Sequence, residues 1–302
     1  MVRERSRPSE QRQAIAHFLL IAIGKLPLPL AQLFGAFIGW CLWLFPTRAK
    51  QTTKININKC FPTQSKAWKE HLIKQSLIQT GITMGETAPM WVQPGIKSLA
   101  TIKKVEGLEL FEQALKDGKG IVFVGGHFGN WELSLYWITQ RVRLTGMYQP
   151  PKYAAIDKII YKARSQFQGN LVPTNSVGVK AYMEAIRKKE VIYVLPDQEP
   201  SIKSGEFVPF FGVSALSNVL IPRLVRGQDI PVLTLSCIRL GIGKGFKIKI
   251  TAADPAMADA DPLVGIRALN KTLENVIMIA PEQYQWNYKR FKRRPAGEAK
   301  FY

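Results

Sequence analysis

The sequence predicts an α/β protein in which a mixed central sheet is flanked by helices, with an apolar helical segment at its N-terminus. Beyond residue 94, short β-branched runs alternate with helical stretches, as in layered α/β domains. Residues 48–90 carry apolar side chains at near-helical spacing. The chain has 302 residues, 46% of them hydrophobic, so it can bury a sizeable core in one large domain or slightly more.

The N-terminal region combines basic residues with a long apolar stretch. Residues 14–45 carry a single charge and residues 26–47 carry none. This uncharged stretch is long enough to cross a bilayer core, which needs about 20 residues. A secretory signal peptide fits poorly, because further apolar sequence follows the first apolar block without a clear cleavage site. The positive-inside rule gives no single-span orientation, since both flanks are basic. The flanking residues are Arg3, Arg5, Arg7, Arg12, Arg48, Lys50 and Lys54.

Two interpretations of this apolar segment stay open. A paired, shallow or re-entrant insertion would keep both basic flanks in the cytoplasm, close to anionic lipid. Alternatively, the segment forms two buried helices of a soluble fold. We favour membrane contact, and we expect residues 1–47 to form a basic stretch with membrane-associating helices and residues 48–302 to form the α/β domain.

The elements after residue 47 follow in order. Apolar positions at helical spacing are Leu72, Ile73, Leu77, Ile78 and Ile82. Strands are predicted at Ile121–Val124, Leu144–Tyr148, Val191–Leu195, Val232–Ile238 and Phe246–Ile250. Helices are predicted at Tyr153–Phe167, Val177–Lys188, Ser214–Arg226 and Asp261–Ile279. The glycine-rich Gly241–Gly245 is expected to be a hairpin loop between the last two strands rather than a phosphate cradle.

The charge balance indicates an anionic partner. Lys and Arg number 42 against 22 Asp and Glu, a net charge of +20, which suits nucleic acid, an anionic membrane, a phosphorylated lipid or an acidic protein. The three widely spaced cysteines predict neither a disulfide framework nor a zinc site, and they favour a reducing compartment. Of the three histidines, His17 and His71 lack a partner pattern, which leaves His127.

His127 lies in the stretch most indicative of chemistry. Gly125 and Gly126 end a buried strand and permit close approach of the backbone to a substrate. His127 then follows at the carboxyl end of the strand, where ligands bind in open α/β sheets. If Glu132 lies in the first turn of the next helix, its carboxylate can reach back to the imidazole, fix its tautomer and raise its basicity. The alternative is a helix-capping histidine and a glutamate that complements the helix dipole.

The stretch Gly126–Glu132, which reads GHFGNWE, resembles the signature of the late lipid A acyltransferases of Gram-negative bacteria, the lauroyl and myristoyl transferases. These belong to the wider His-x4-Asp/Glu glycerolipid acyltransferase superfamily. Three further blocks resemble this family in the same order: Tyr148–Pro150, Pro196–Gly212 and Pro281–Pro295. The resemblance covers roughly residues 15–295.

The resemblance implies transfer of a fatty acyl group from acyl carrier protein to a hydroxyl of a lipid A precursor, on the cytoplasmic face of the bacterial inner membrane. It assigns His127 as general base, Glu132 as its orienting partner, and Arg164 as a stabiliser of the thioester oxyanion or a phosphate ligand. Transfer would be direct, in a ternary complex, without a metal, a cofactor or a nucleic-acid partner. Gln149 and residues 287–289 depart from the family pattern, which bears on the acceptor more than on the reaction.

Eight residues are predicted to bind substrate: Gly126, Asn130, Tyr148, Asp197, Gln198, Phe210, Arg290 and Lys292. Asp197 either binds substrate or organises the site with Gln198, or it is a turn residue. Phe210 either lines an acyl-chain groove or belongs to the core. Arg290 and Lys292 either meet lipid phosphate or form a solvated basic tail.

Other functions would also fit this pattern. A related transferase could use another phospholipid or glycolipid acceptor. A basic membrane-binding protein without catalysis, or a scaffold that recruits acyl carrier protein, would not need His127.

Overall fold

A computed structural model describes residues 9–302. Residues 1–8, which include the predicted basic flank at Arg3, Arg5 and Arg7, lie outside the described residues. The strands are β1 (Ile102–Glu106), β2 (Ile121–Val124), β3 (Leu144–Tyr148), β4 (Gly169–Pro173), β5 (Val191–Val194), β6 (Gly205–Phe210), β7 (Val213–Asn218), β8 (Val232–Gly241) and β9 (Gly245–Ala252). The helices are α1 (Glu10–Gly24), α2 (Leu28–Leu44), α3 (Arg48–Cys60), α4 (Lys66–Val92), α5 (Gly95–Leu99), α6 (Leu108–Asp117), α7 (Trp131–Thr139), α8 (Ala154–Arg164), α9 (Ser176–Arg187), α10 (Leu220–Val225) and α11 (Pro262–Ile277).

Seven strands form one mixed sheet in the order β1-β9-β8-β2-β5-β3-β4. The β8–β9 pair is antiparallel and the other neighbours are parallel. All four residues of β2 are completely buried, as expected for a central strand covered by helices on both faces. Strands β6 and β7 form a separate antiparallel hairpin. The predicted α/β class and mixed sheet are therefore confirmed.

The predicted elements agree with the structure except in one segment. All five predicted strands are present, and Gly241–Gly245 is the predicted hairpin connection between β8 and β9. The helix predicted over Ser214–Arg226 is wrong, because residues 213–218 pair with β6 and only the short α10 is helical. The strand buries Ala215, Leu216 and Ser217, so pairing and burial outweigh local helical spacing.

The two N-terminal helices pack on α4 through small residues. A Cβ added to Gly35 would lie 2.3 Å from the backbone oxygen of Gly81, and one added to Gly81 would lie 2.2 Å from that of Gly35. Gly39 and Gly85 continue the same contact one turn further along each helix. The sequence therefore brings the backbones of α2 and α4 together at a distance that excludes any side chain.

The outer faces of α1 and α2 are apolar and exposed. Phe18 is 69% exposed, Phe37 60% and Leu33 52%, so these helices are not buried inside a soluble fold. Among the described helices, none is by itself long and apolar enough to cross a membrane; α2 and α3, bent by 76°, meet that length and composition only as a pair. Membrane association of this segment and the boundary at residue 47 stay predictions.

Candidate active site

His127 and Asp197 come from neighbouring parallel strands. Val124 of β2 is paired with Val194 of β5, and each chain runs three residues further to reach His127 and Asp197. His127 Nδ1 lies 2.8 Å from Asp197 Oδ1, and the backbone N–H of His127 donates to Asp197 Oδ2 at 2.9 Å. The carboxylate therefore holds both the ring and the backbone of His127.

The buried Asp197 fixes which ring nitrogen of His127 carries the proton. Burial raises the pKa of Asp197, but the charge and hydrogen bonds of His127 outweigh it and hold that pKa below its ordinary value. An ionised carboxylate can only accept hydrogen bonds, so Nδ1 must be the donor. In the neutral ring Nε2 then carries a free lone pair, as a general base requires.

The sequence predicts that Glu132 holds the imidazole. In the structure, Asp197 holds it instead. Glu132 does lie in the first turn of α7, but its two oxygens accept from Arg164 at the end of α8. Arg164 Nε donates to Oε2 at 2.9 Å, and Nη2 contacts Oε1. Glu132 is bound by the guanidinium, while Asp197 occupies Nδ1 of the ring.

The Glu132–Arg164 ion pair is buried on the carboxylate side. The side chain of Glu132 is 2% exposed and that of Arg164 23%. Burial raises the pKa of Glu132, but the charge and hydrogen bonds of Arg164 outweigh it and lower the pKa. The carboxylate is therefore ionised, and the N-terminus of α7 adds a favourable dipole. A bidentate pair of this kind fixes the position of the guanidinium.

Tyr148 supports Arg164 from behind. The guanidinium carbon of Arg164 lies 5.2 Å from the centre of the Tyr148 ring, and the Tyr148 hydroxyl donates to Asp157. Tyr148 is 6% exposed and, unlike Arg164, lines neither of the cavities at His127. Tyr148 therefore lies next to the predicted site, where its ring packs against the guanidinium of Arg164.

Two cavities meet at His127. The larger has a volume of about 1080 Å³ and the smaller about 470 Å³. Both are lined by His127, Trp131, Glu132 and Arg164. The His127 ring packs edge-on against Trp131, with 5.2 Å between ring centres. Two substrates could therefore approach the same imidazole through separate spaces.

The turn after β2 is fixed by the neighbouring strand β8. Gly129 has φ +57° and its Cβ would fall 2.0 Å from the Cys237 carbonyl oxygen, so only glycine fits. Asn130, predicted to bind substrate, is 1% exposed. Its side chain caps α7 by accepting from the backbone N–H of Leu133 and donates to Glu86. Asn130 therefore shapes the turn rather than facing a cavity.

Two predicted binding residues lie in the interior. Phe210 is completely buried and packs against core aromatics, so the groove role is wrong. Arg290 is 2% exposed and donates to the Leu216 carbonyl and to Ser217 Oγ. It fastens the β6–β7 hairpin, and its guanidinium is bound there rather than available to lipid phosphate.

The other predicted binding residues differ in their settings. A Cβ at Gly126 would lie 3.7 Å from Asp197 Oδ2, so this glycine is close to the site. Gln198 is partly buried and Lys292 is exposed, and both lie outside the lining of the two cavities. Substrate binding by these three residues stays a prediction.

Sequence reasoning missed a buried ion pair behind the site. Glu86 of α4 and Arg239 of β8 are 0% and 1% exposed in their side chains and contact each other. Glu86 also accepts from Gln32 of α2 and from Asn130. A signal was present: Glu86 is the single charged residue between Lys74 and Lys97, and Arg239 is the single one in β8. Isolated opposite charges in apolar elements indicate a buried pair.

Fold and site together define an α/β protein with a carboxylate-held histidine at the carboxyl edge of a mixed sheet. A family model described as bacterial lipid A biosynthesis acyltransferase matches residues 3–293. The chain belongs to this family of acyltransferases.

Curated relatives carry the same kind of name. The chain is 28% identical to a lipid A biosynthesis palmitoleoyltransferase of Escherichia coli K12 over 92% of this chain and 90% of the relative. It is 26% identical to a lauroyltransferase of the same organism, again over 92% and 90%. A myristoyltransferase of that organism is 24% identical over 91% and 83%. The names of these relatives thus cover three acyl groups, at similar sequence identities to this chain.

Proposed function

We propose that this protein transfers a fatty acyl group from acyl carrier protein to a hydroxyl of a lipid A precursor. The observation that carries the proposal is the buried Asp197 holding His127 at the junction of two cavities. Family membership supports the acceptor class. The net charge of +20 suits an acidic carrier protein and a phosphorylated glycolipid.

His127 acts as the general base in this mechanism. Nε2 removes the proton of the acceptor hydroxyl while the hydroxyl oxygen bonds to the thioester carbonyl carbon. The carbon–sulfur bond then breaks, and the leaving thiolate takes the proton from the imidazolium. Asp197 keeps the ring in the required tautomer and stabilises its positive charge, as a carboxylate does in other histidine-based acyl transfers.

Arg164 stabilises the oxyanion formed on the thioester carbonyl. Arg164 lines both cavities beside His127. Its Nε and Nη2 groups donate hydrogen bonds to the carboxylate of Glu132. Glu132 therefore acts as a positioning residue that fixes the guanidinium before the substrates bind. Preorganised charge of this kind costs little reorganisation in the transition state.

The protein works at the cytoplasmic face of the bacterial inner membrane, with residues 1–47 as its membrane-associating part. The exposed apolar side chains of α1 and α2 support this position. Apolar surface on this scale is uncommon on a soluble monomer and is typical of a membrane or protein contact.

Mass spectrometry tests the proposal directly. Full-length protein is incubated with a lipid A precursor and acyl carrier proteins loaded with several chain lengths. We expect the precursor to gain one or two acyl groups, with loss of the product in His127→Ala and retention in His71→Ala, whose residue is exposed and lies outside both cavities. No gain with any donor would exclude this acceptor and favour another phospholipid or glycolipid. A gain that survives in His127→Ala would exclude His127 as the base.

A further inference from the structure

The two cavities at His127 have different walls. The larger is formed mainly by strand ends and by α9 and α10, and the smaller by α4, Leu20 of α1 and the segment 283–287. In α4, Thr80, Thr83, Met84, Thr87 and Trp91 line the smaller cavity. This i, i+3, i+4, i+7, i+11 spacing places one continuous face of the helix along it. The smaller cavity therefore runs beside the N-terminal helices before it reaches His127.

Among the described residues, the α1 and α4 side of the smaller cavity carries no charged residue, although Thr80, Thr83, Gln285 and Asn287 add polar groups to the lining. Met84 lines this cavity and is 60% exposed. On α1, which contributes the lining residue Leu20, Phe18 and Leu19 lie outside the cavity and are 69% and 50% exposed. Because the lining residues of α1 and α4 are all uncharged, an apolar chain could enter along them without meeting a charged side chain.

The rim of the larger cavity is basic. Arg223 lines it and is exposed, whereas the lining carboxylate, Glu132, is buried and paired with Arg164. A cationic side chain at the mouth favours an anionic partner rather than a lipid tail. The charge difference between the two rims thus distinguishes the two approaches to His127.

We infer that the smaller cavity admits the acyl chain of the lipid acceptor. This chain carries the reacting hydroxyl and reaches His127 laterally from the bilayer, between α1 and α4. The inference rests on the proposed function and adds the route of the acceptor. The donor thioester then approaches through the larger cavity, with its acidic carrier on the basic rim. The acceptor hydroxyl then lies at Nε2 and the thioester carbonyl carbon lies beside that hydroxyl, as direct transfer in a ternary complex requires.

Two matched variants test this assignment. Met84 and Met183 line the smaller and the larger cavity and are 60% and 57% exposed, so a charge at either position need not disturb the core. We expect Met84→Glu to raise the KM for a detergent-solubilised acceptor about ten-fold or more, because a charge opposes passage of an apolar chain. The KM for the acyl carrier protein thioester should stay within two-fold, roughly the scatter of such comparisons. Met183→Glu should show the reverse pattern.

Two further variants separate passage of the chain from general membrane contact. Phe18→Glu places the same charge on exposed α1 outside the cavity, and it should reduce binding to anionic vesicles more than it raises the acceptor KM in detergent. Met278→Glu, 47% exposed and outside both cavities, should behave as the parent protein. Equal effects of Met84→Glu and Phe18→Glu in detergent, or a donor-specific defect in Met84→Glu, would overturn the assignment. Absence of transfer by the parent protein would instead overturn the proposed function.

Discussion

The imidazole of His127 is held at 2.8 Å by Asp197, a residue seventy positions further along the chain. The pairing follows from sheet register, because the two residues stand three positions beyond the paired Val124 and Val194 on adjacent parallel strands. A buried anion at Nδ1 leaves Nε2 as the reactive nitrogen. The local His-x4-Glu spacing therefore does not describe the pair that the fold assembles.

Replacing Asp197 by asparagine should remove most of the activity. The amide can present either an acceptor or a donor to Nδ1, so the ring loses both its fixed tautomer and the stabilisation of its charge. We expect kcat to fall about 100-fold or more, with a smaller change in KM. Steady-state kinetics with mass-spectrometric detection measures the effect.

Asp229→Asn is the matched control for Asp197→Asn. The side chain of Asp229 is 87% exposed and pairs with Lys119 on the surface, and such pairs contribute little. Circular dichroism should show the same fold for both variants. Retention of more than half the parent kcat in Asp197→Asn would contradict the role given to this carboxylate.

Some residues of this site can be identified from local sequence, but the pairing between them depends on the strand order of the sheet. His127 and Arg164 could be assigned from motif and resemblance, and Asp197 could be recognised as a polar residue at a strand end. Its pairing with His127 depends on β2 and β5 being neighbours, although β3 and β4 lie between them in sequence. Strand order is a property of the packed sheet, so local spacing favoured the nearer Glu132.

The Glu132–Arg164 pair should be strongly coupled in stability. Arg164→Met leaves the ionised, 2% exposed Glu132 without its partner, which should cost about 3–5 kcal/mol in the free energy of unfolding. The double variant Glu132→Gln with Arg164→Met removes both charges and should be more stable than Arg164→Met alone. Chemical denaturation of the parent, both single variants and the double variant gives the coupling energy. Additive effects would show that the two side chains do not stabilise each other.

Acidification should weaken this same part of the protein. The pKa of Glu132 in the folded protein is lowered below its ordinary value of 4.5, and that of Asp197 below 3.8. A lowered folded pKa contributes stability above the unfolded pKa, and the contribution is lost as pH falls through the folded value. The stability difference between the parent and Glu132→Gln should therefore be largest near pH 7 and shrink below about pH 4.5. Denaturation curves from pH 7 to pH 3 measure it, and a difference that grows toward low pH would contradict the direction of the shift.

The fold was predictable where local patterns and burial agree. The runs that became β2, β5 and β8 are apolar and central, so composition and structure coincide. The edge strand β1 was missed because Lys103 and Lys104 are exposed and interrupt its pattern. Segment 214–218 was misassigned because its strand character comes from pairing with β6. Tertiary partners decide such segments more than propensity does.

Close packing of α2 on α4 should make Gly81 intolerant of any side chain. A Cβ at this position would lie 2.2 Å from the backbone oxygen of Gly35 and 2.4 Å from the backbone nitrogen of Gly39. Because backbone atoms cannot rotate away, even Gly81→Ala must separate the two helices, at a cost of about 1–3 kcal/mol. Gly146→Ala is the control, since its Cβ would meet only Leu144 at an ordinary 3.5 Å. Thermal unfolding in the same detergent compares them, and an equal Tm for both variants would contradict the contact.

The buried pair Glu86–Arg239 connects the N-terminal helices to the turn that carries His127. Glu86 accepts from Gln32 of α2 and from Asn130, which caps α7. Arg239→Met would leave the buried Glu86 without its cationic partner, and we expect a loss of about 3–5 kcal/mol in the free energy of unfolding. Surface-exposed Arg187→Met, which breaks an exposed pair with Glu184, should change it by less than about 1 kcal/mol. Equal stability of these two variants in urea denaturation would show that the Glu86 network is dispensable to the fold.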